Sequence, residues 1–472
     1  KENAYFCDYV TNLILTDESY GKTKEDRENL LYRGGLTVKT TLNSKLNKKA
    51  AKDSAKAIDP KAKSNTDVYS SIVSVEPGTG KILTMAQNTT YGPEIKNSGE
   101  NTYYNFAVER SLGGAGGFQG GSTMKPYTTL GWLSEGNHMY DKINAKKQAF
   151  MPGTKWRASC LPGGTTSVGS KWEPKNASPG FYRTMTVDTG LYWSINSATV
   201  QEAFKTDLCT IADYTEKLGL LDQGAKGGPA PISPANPSFI IGSAEITPLS
   251  QAAAFAAFAN KGEYCEPRAI TGVTDKDGNE YKVKKESCSQ QIDPTYIADL
   301  NGTLQKIATK RVSKGRVAGP IAGKTGTNNY ASSTWFVGYT TGISTAAWVG
   351  RLDGKAGEEK NQMHGAMIND EKAPWMVDSS TYAAPLWVDF MEEAVHEYER
   401  NSFGSARRQP PPPKPKEEED SKSDSDEKDN DKEESKDDSK PKKESSSKPD
   451  ARDIGRGNDN GNGNGNGNKS DD

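Results

Sequence analysis

The chain has 472 residues, in which 60 Lys and Arg residues are balanced by 62 Asp and Glu residues. A net charge of −2 argues against a nucleic-acid binder that works through a basic surface. The mean hydropathy is −0.79, and no apolar run reaches membrane-spanning length. Much of this low hydropathy comes from the C-terminal segment, so the folded part is expected to end near Phe403.

The lead-in and the first strands are predicted as follows. Residues 1–66 have a helical start, and LTVKTTL (36–42) then alternates like a strand. Asn43 or Ser44 would cap the helix that follows. The segment YSSIVSVEPGTGKILTMAQN (69–88) predicts two strands around the turn EPGTG.

The middle of the chain is predicted to be helical, and its end returns to strands. Helices are predicted over 122–136, 185–204, 247–262, 293–309 and 384–400, with a polar Gly/Pro-rich stretch at about 150–180. GPIAGKTGT (319–327) and STWFVGYTTGISTAAWVG (333–350) are predicted strands. This order predicts an α+β domain, residues 67–403, whose sheet is completed by distant segments.

Residues 404–472 are predicted to be a disordered tail. They contain a proline run, a mixed-charge run and a Gly-Asn repeat, and no aromatic residue follows Phe403. Such a composition cannot bury enough apolar surface to offset its ordering entropy.

The five cysteines are Cys7, Cys160, Cys209, Cys265 and Cys288. They form no CxxC pair and have no metal-ligand spacing with the three histidines, so no metal is expected. Cys265 and Cys288 are nearly equidistant from the turn DKDGN (275–279) of a predicted hairpin. They would form a disulfide in an exported protein, or remain two free thiols.

FQGGSTMKP (118–126) places Ser122 three residues before Lys125 after a glycine-rich run. A phosphate-binding loop would need its lysine directly after the last glycine, so nucleotide binding is disfavoured. Positions i and i+3 of a helix share a face, which lets Lys125 reach the Ser122 hydroxyl. The motif alone proves little, because Ser19, Ser425, Ser439 and Ser445 also precede a lysine by three residues.

Two further motifs follow in the chain. Ser194-Ile195-Asn196 lies in a helical region, and Lys324-Thr325-Gly326-Thr327 lies in a predicted strand. Taken singly, the first is also explained as polar residues that cap a helix, and the second as an edge strand with a solvated lysine. The three motifs in this order are much less expected by chance than any one of them.

The chain resembles the penicillin-binding protein transpeptidase domain over about residues 67–400. The resemblance is carried by NFAVERSLGGAGGFQGGSTMKPY (105–127), LYWSINSATV (191–200), EITPLSQAAAFAAFANKGEYCEP (245–267) and IAGKTGTNNYASSTWFVGYTTGISTAAWVG (321–350). RGGLTVKTTLNSKLNKKAA (33–51) resembles the linker between the glycosyltransferase and transpeptidase halves of class A, bifunctional penicillin-binding proteins. The resemblance implies that residues 1–66 follow a glycosyltransferase half and a membrane anchor that are absent from this chain.

The resemblance also implies a fold and a set of roles. The fold would be an antiparallel sheet flanked by helices, with an all-helical subdomain. Ser122 would be the nucleophile, Lys125 its base and Ser194 a proton relay. The implied substrate-binding residues are Asn196, Lys324, Thr325, Gly326 and Thr327, and the oxyanion hole would be the backbone N–H groups of Ser122 and Thr327. No cofactor is implied. One departure is Gly120-Gly121, where the family usually has proline and glycine.

The implied activity is a peptidoglycan D,D-transpeptidase that cross-links stem peptides through a serine acyl-enzyme and is acylated by β-lactams. The alternatives are a D,D-carboxypeptidase or β-lactamase, and a non-catalytic β-lactam sensor or scaffold. The expected partners are a D-Ala-D-Ala donor, an amine acceptor and, through the tail, cell-wall, divisome or elongation proteins, but no nucleic acid. The expected location is the outer face of a bacterial cytoplasmic membrane.

Overall fold

A computed structural model describes residues 2–95, 98–328, 331–352 and 362–408. Their α-helices are α1 Ala4–Thr16, α2 Lys24–Arg33, α3 Ser44–Ala57, α4 Lys125–Ser134, α5 Val187–Tyr192, α6 Asn196–Lys205, α7 Leu208–Lys217, α8 Pro248–Ala259, α9 Pro294–Lys306 and α10 Ala383–Ala394. A 3-10 helix, Gly121–Met124, precedes α4, and a π-helix, Ile307–Ser313, continues α9.

The longer strands are β2 Val68–Val75, β3 Ile82–Gln87, β18 Ala322–Thr327, β19 Ser333–Tyr339 and β20 Ser344–Arg351. The shorter strands are β1 Thr37–Thr40, β4 Thr90–Tyr91, β5 Asn101–Thr102, β6 Phe118–Gln119, β7 Lys142–Asn144, β8 Trp156–Arg157, β9 Thr165–Thr166, β10 Thr184–Thr186, β11 Leu221–Asp222, β12 Ala230–Pro231, β13 Glu245–Ile246, β14 Glu263–Cys265, β15 Ile270–Thr274, β16 Glu280–Tyr281, β17 Cys288–Gln290, β21 Met367–Ile368 and β22 Glu371–Lys372.

The central sheet has the strand order β18-β19-β20-β2-β3, and every pair in it is antiparallel. Strands from the start of the domain therefore pair with strands from its end, for example at Ile72 and Ala347. This confirms the prediction that distant segments complete the sheet. β18 forms one edge, so its outer side is open to other elements.

Helices cover both faces of the sheet, which explains why its central strands are buried along their length except at Tyr69 and Arg351. The Ala-rich helix α8 packs against β2, β19 and β20, while α3 and α10 pack together on the other face. Trp335 and Trp348 belong to the core on the α8 side, and Phe336 and Trp387 to the core on the α10 side.

A helical subdomain carries the first two motifs. In it, α4 contacts α5, α6, α7 and α9. Residues 125–133 of α4 are all buried, as expected for a helix that other elements surround. The α+β fold with an antiparallel sheet and a helical subdomain is thus confirmed.

The lead-in segment packs on the rest of the structure. β1 pairs with β15, and the Asn43 side chain accepts a hydrogen bond from Leu46 N, so Asn43 is the cap of α3. Tyr5 and Phe6 of α1 are buried. The structure thus shows contact between this segment and the region predicted as the transpeptidase domain.

Two disulfides are present. Cys265 and Cys288 are paired across β14 and β17, with Cα atoms 4.1 Å apart, which confirms the predicted bridge. Cys160 and Cys209 form a second bridge that the sequence did not predict. They are 49 residues apart, and no local turn relates them. Cys7 is an exposed free thiol.

The described residues end at Arg408, so nearly all of the predicted disordered tail, 404–472, lies outside them. Arg407 is held by Asp299, which accepts hydrogen bonds of 2.6 Å from its backbone N and from its Nε. None of the helices in the described ranges combines the length and the apolar composition of a membrane span.

Candidate active site

The three sequence motifs meet where α4, α6 and β18 converge. Ser122 lies in the 3-10 turn and Lys125 is the first residue of α4. Ser194 lies in the turn between α5 and α6, and Asn196 begins α6. β18 carries the motif from Lys324 to Thr327. Residues that are up to about 200 positions apart in sequence are therefore neighbours.

A hydrogen-bond network joins the two lysines through the second motif. Lys125 Nζ donates to Ser194 O and Asn196 Oδ1, both at 2.6 Å, and to Ser194 Oγ at 3.3 Å. Lys324 Nζ donates to Ser194 Oγ at 2.8 Å and to Thr325 O at 3.1 Å. The Ser194 hydroxyl thus lies between two amines. The predicted hydrogen bond from Lys125 to Ser122 stays a prediction, because Lys125 is held here by Ser194 and Asn196.

Burial controls the charge of both lysines. Neither side chain is exposed to solvent. Desolvation lowers the pKa of Lys125 to about 7, and the nearby Glu202 partly opposes this shift. The pKa of Lys324 lies well below its usual range because of burial and the positive charges of Lys125 and Arg311. For both lysines, burial is the larger cause of the lowered pKa.

Ser194 adopts a strained backbone conformation, with φ at +58°. Its N–H donates to Leu191 O at 3.1 Å, and the next residue, Ile195, donates to Gly190 O at 2.8 Å. These bonds close the turn between α5 and α6 and hold the side chain between the lysines. Few non-glycine residues adopt the left-handed region, and those that do are often found at functional sites.

Two glycines allow the first and third motifs to approach. Gly121 has φ at +52°, and a Cβ there would lie 2.6 Å from Thr327 O. A Cβ at Gly326 would lie 2.8 Å from Gly120 O. The backbones of the Ser122 turn and of β18 are therefore in contact, as the predicted oxyanion hole of Ser122 and Thr327 requires.

The departure at Gly120 also has a structural reason. Gly120 N donates to Ala244 O at 3.2 Å, and Gly121 N donates to Gly242 O at 3.1 Å. Proline at position 120 would lack the first of these donors. Together with the pairing of β6 and β13, these bonds tie the glycine-rich loop to the segment before α8.

Ser122 opens into a cavity of about 250 Å³. Asn196 and Thr327, which the sequence predicts as substrate-binding residues, line it. The lining also includes residues that sequence reasoning missed, which are Gln119, Trp172, Ser238, Ile241, Gly242, Ser243 and Asn328. Of these, Gln119 lies three residues before Ser122, and Asn328 directly follows Thr327. Their closeness in sequence to the two motifs could therefore have identified them. In the structure, Asn328 Nδ2 donates a hydrogen bond of 3.2 Å to Gln119 Oε1.

Trp172 belongs to the Gly/Pro-rich stretch that the sequence indicated only as a separator. Asn196 Nδ2 donates to Lys175 O at 2.7 Å, and the Asn176 side chain is bonded to Ser197. The Cys160–Cys209 bridge ties the same stretch to the start of α7. The Gly/Pro-rich stretch, about residues 150–180, therefore forms one side of the cavity through Trp172, and we call this stretch the wall of the cavity.

Glu202 on α6 is a second group that sequence reasoning missed. It is only 1% exposed, and its Oε2 accepts a hydrogen bond of 3.0 Å from Thr129 Oγ1. Burial raises its pKa to about 8, while Thr129 and Lys125 act in the opposite direction. Among the described residues, no group of His, Cys, Asp and Glu has the arrangement of a metal site.

An α+β fold with Ser-x-x-Lys, Ser-x-Asn and Lys-Thr-Gly gathered at one cavity defines the class of serine acyltransferases and hydrolases that react with β-lactams. Residues 70–369 match the model of the penicillin binding protein transpeptidase domain. The chain therefore belongs to the penicillin-binding protein transpeptidase family.

Similar curated proteins include the penicillin-binding proteins 1A of Aquifex aeolicus and Clostridium botulinum. The first is 26% identical over 347 residues, which covers 71% of this chain and 39% of the relative. The second is 27% identical over 380 residues, which covers 77% of this chain and 40% of the relative. The chain thus spans about two fifths of the length of these relatives.

Among solved structures, penicillin-binding protein PonA1 from Mycobacterium tuberculosis has a TM-score of 0.63 and 21% identity, and the match covers 85% of this chain and 96% of that one. The complex of the PonA1 protein with penicillin V has a TM-score of 0.60 and 20% identity, with coverage of 85% and 99%. These likenesses show a shared fold.

Proposed function

We propose that this chain is the catalytic part of a peptidoglycan D,D-transpeptidase, with Ser122 as the nucleophile. The observation that carries the proposal is the arrangement of two buried amines, Lys125 and Lys324, on either side of the Ser194 hydroxyl beside the cavity of Ser122. Such a site can move protons between a serine, an amine and a leaving group without a cofactor.

In the acylation half, neutral Lys125 accepts the Ser122 hydroxyl proton. Ser122 Oγ then attacks the carbonyl carbon of the penultimate D-alanine of a stem peptide. The N–H groups of Ser122 and Thr327 stabilise the resulting oxyanion, a contribution of about 3 kcal/mol per donor. When the peptide bond breaks, the amine of the terminal D-alanine takes a proton that Ser194 relays from Lys125.

In the second half, the amine of a neighbouring stem peptide attacks the Ser122 ester. A new peptide bond forms, the ester bond breaks, and the proton lost by the amine returns to Ser122 through Lys125. A β-lactam carbonyl would acylate the same oxygen, with the opened ring nitrogen as the leaving group.

The remaining motif residues would bind the substrate. Asn196 would hydrogen-bond the peptide amide. Lys324, Thr325 and Thr327 would receive the terminal carboxylate, whose charge would restore the ammonium form of Lys324. The absence of a side chain at Gly326 would serve the site indirectly, because it lets β18 approach the turn of Ser122, where a Cβ would lie 2.8 Å from Gly120 O.

Labelling with a fluorescent penicillin, followed by peptide mapping, tests the nucleophile. We expect one labelled peptide, containing Ser122, and no label in Ser122→Ala with an unchanged unfolding temperature. Ser19→Ala is the matched control, because Ser19 also lies three residues before a lysine and outside the cavity. Label retained in Ser122→Ala would refute the assignment.

Mass spectrometry separates transfer from hydrolysis. A penicillin adduct that lasts many minutes is expected of a transpeptidase, whereas loss within seconds would indicate a β-lactamase. With a D-Ala-D-Ala peptide and an amine acceptor, we expect the cross-linked product. Formation of only the shortened peptide would indicate a carboxypeptidase, and an adduct without any peptide reaction would indicate a sensor.

The location and domain organisation belong to the same proposal. Two disulfides favour an oxidising, extracytoplasmic compartment, the envelope face of a bacterial membrane. Residues 1–66 would be the interdomain linker, 67–403 the transpeptidase domain, and 404–472 a tail available to cell-wall partners.

A further inference from the structure

An arginine outside the three motifs contacts the turn that carries Ser194. Arg311 lies on the π-helix Ile307–Ser313, which continues α9 and packs against β18, the strand of Lys324. Its Nη1 donates a hydrogen bond of 2.5 Å to the carbonyl oxygen of Tyr192, the last residue of α5. The π-helix is therefore joined to the chain two residues before Ser194. Such helices are rare and are frequent at functional sites.

The carbonyl oxygen of Tyr192 needs this donor. The N–H groups of residues 193–195 donate to carbonyl oxygens within residues 189–191, so they do not serve Tyr192. The last carbonyl groups of a helix have no partner inside it, and a charged N–H group is a strong partner for them. Arg311 thus closes the end of α5 at the point where the chain enters the left-handed conformation of Ser194.

The guanidinium also lies over aromatic rings next to Ser194. Arg311 Cζ is 5.1 Å from the ring centroid of Trp193 and 5.6 Å from that of Tyr192, within the range of cation–π attraction. Trp193 in turn contacts Phe181, with ring centroids 5.8 Å apart. Phe181 directly follows the wall of the cavity, so the π-helix, the turn of Ser194 and the end of the wall meet at Trp193.

The turn, and not an acid, holds this arginine. Arg311 has no carboxylate as an ion-pair partner among the residues that the structure describes. Its positive charge also contributes to the lowered pKa of Lys324, whose amine donates to the Ser194 hydroxyl. Replacement of Arg311 would therefore change both the contacts of the turn and the local charge, and a test must separate the two.

We propose that Arg311 is a positioning residue that fixes the turn of Ser194, so that the Ser194 hydroxyl stays between the two lysines. A strained backbone conformation persists only where the surrounding structure holds it. The hydrogen bond to Tyr192 and the contact with Trp193 hold it from outside the three motifs. This inference rests on the proposed function, in which Ser194 relays a proton.

The test is the concentration dependence of acylation by fluorescent penicillin, measured on the full chain in wild type and in Arg311→Met. It gives a limiting rate constant, which reports on the chemistry at Ser122, and a half-saturating concentration, which reports on penicillin binding. Methionine keeps a long side chain but has no charge and no hydrogen-bond donor. We expect the limiting rate constant to fall about tenfold and the half-saturating concentration to stay unchanged, because a displaced relay impairs the reaction and not binding.

Two variants separate the contacts of Arg311 from its charge. Arg311→Lys keeps the charge and a donor but lacks the planar guanidinium, so it should recover part of the lost rate. Lys310→Met removes a positive charge from the neighbouring exposed position of the same π-helix, so it should match wild type. A loss in Lys310→Met as large as that in Arg311→Met would assign the effect to local charge and overturn the inference.

A double-variant cycle tests whether Arg311 acts through Ser194. In the Ser194→Ala background, Arg311→Met should lower the remaining rate by less than about twofold, since the hydroxyl that it positions is already absent. Trp193→Ala removes one ring beneath the guanidinium at an exposed position, and it allows the same comparison if Arg311→Met does not fold. Losses that multiply in the double variant would refute the inference.

The remaining outcomes separate this inference from the proposed function. If wild type is acylated at Ser122 and Arg311→Met has the same limiting rate constant, only the inference is wrong. A raised half-saturating concentration with an unchanged limiting rate constant would assign Arg311 to penicillin binding, which also overturns it. If wild type is not acylated, the proposed function and this inference both fail.

Discussion

The backbone of Ser194 has an unfavourable conformation, with φ at +58°, and this conformation places its side chain between two lysines. A left-handed conformation costs a non-glycine residue roughly 1–2 kcal/mol. The turn keeps this residue because its hydroxyl lies between Lys125 and Lys324. At this position, the proposed function therefore requires a serine, whereas local stability would favour a glycine.

Substitutions at position 194 should separate the effect of the hydroxyl on acylation from the effect of the backbone strain on stability. Ser194→Gly and Ser194→Ala both remove the hydroxyl, so both should lose most of the acylation rate. The glycine variant should be more stable than the alanine variant by ~1 kcal/mol, since φ at +58° suits glycine. Urea unfolding measures the difference, and equal stabilities would contradict the assigned strain.

Gly121 should tolerate no side chain. Gly121→Ala adds a left-handed penalty and a Cβ 2.6 Å from Thr327 O, so we expect a loss of about 3 kcal/mol and a strong loss of acylation. Gly153 is the matched control, because its φ is +87° and nothing lies within 4 Å of its Cβ position. Gly153→Ala should cost only ~1 kcal/mol, as measured by thermal unfolding, with acylation unchanged.

At the scale of elements, the wall formed by the Gly/Pro-rich stretch is held by covalent and polar links. The Cys160–Cys209 bridge closes a longer loop than the Cys265–Cys288 bridge, with separations of 49 and 23 residues. The first bridge anchors the stretch that contacts Asn196, whereas the second lies on a hairpin outside the cavity lining.

Removal of the bridges should therefore have different effects on activity. Replacing Cys160 and Cys209 with serine should cost about 2–4 kcal/mol and slow acylation, because the partner of Asn196 becomes less ordered. Replacing Cys265 and Cys288 should also reduce stability, by a somewhat smaller amount, and leave the acylation rate unchanged. Measurements of acylation kinetics and of unfolding in both double variants test this. An equal loss of acylation in both would contradict the claim that the Cys160–Cys209 bridge supports the active site.

At the scale of the whole molecule, the end of the folded region is defined by packing. Phe403 is 4% exposed and lies edge-on to Tyr339, with ring centroids 5.4 Å apart. Asp299 is 3% exposed and accepts two hydrogen bonds from Arg407. Phe403 therefore belongs to the core, and Arg407 is anchored to the folded region although its segment has the composition of the tail.

Two truncations test this boundary. A chain that ends at Arg408 should keep the unfolding temperature and acylation rate of the full chain. A chain that ends at Ser402 loses Phe403 and leaves Asp299 buried without Arg407, so it should be less stable by at least ~3 kcal/mol. Equal stability of the two truncations would show that these contacts contribute little.

Sequence reasoning predicted the elements where the pattern is local. The turn EPGTG joins β2 and β3, Asn43 caps α3, and Cys265 faces Cys288, because short-range geometry decides each of these features. It did not predict the wall, because contacts between segments distant in sequence place Trp172 at the cavity. These contacts include its backbone pairing with Phe150, the bridge of Cys160 and Cys209, and the hydrogen bonds to α6.

The sequence by itself determined the α+β class, the family and the three motifs, since these depend on residue types at fixed spacing. Only the tertiary structure decided which groups surround the motifs. FQGGSTMKP has its glycines because Gly121 abuts Thr327, and Lys125 has a lowered pKa because burial removes its solvent. The pKa of Glu202 is raised to about 8 because the whole fold buries its carboxyl group.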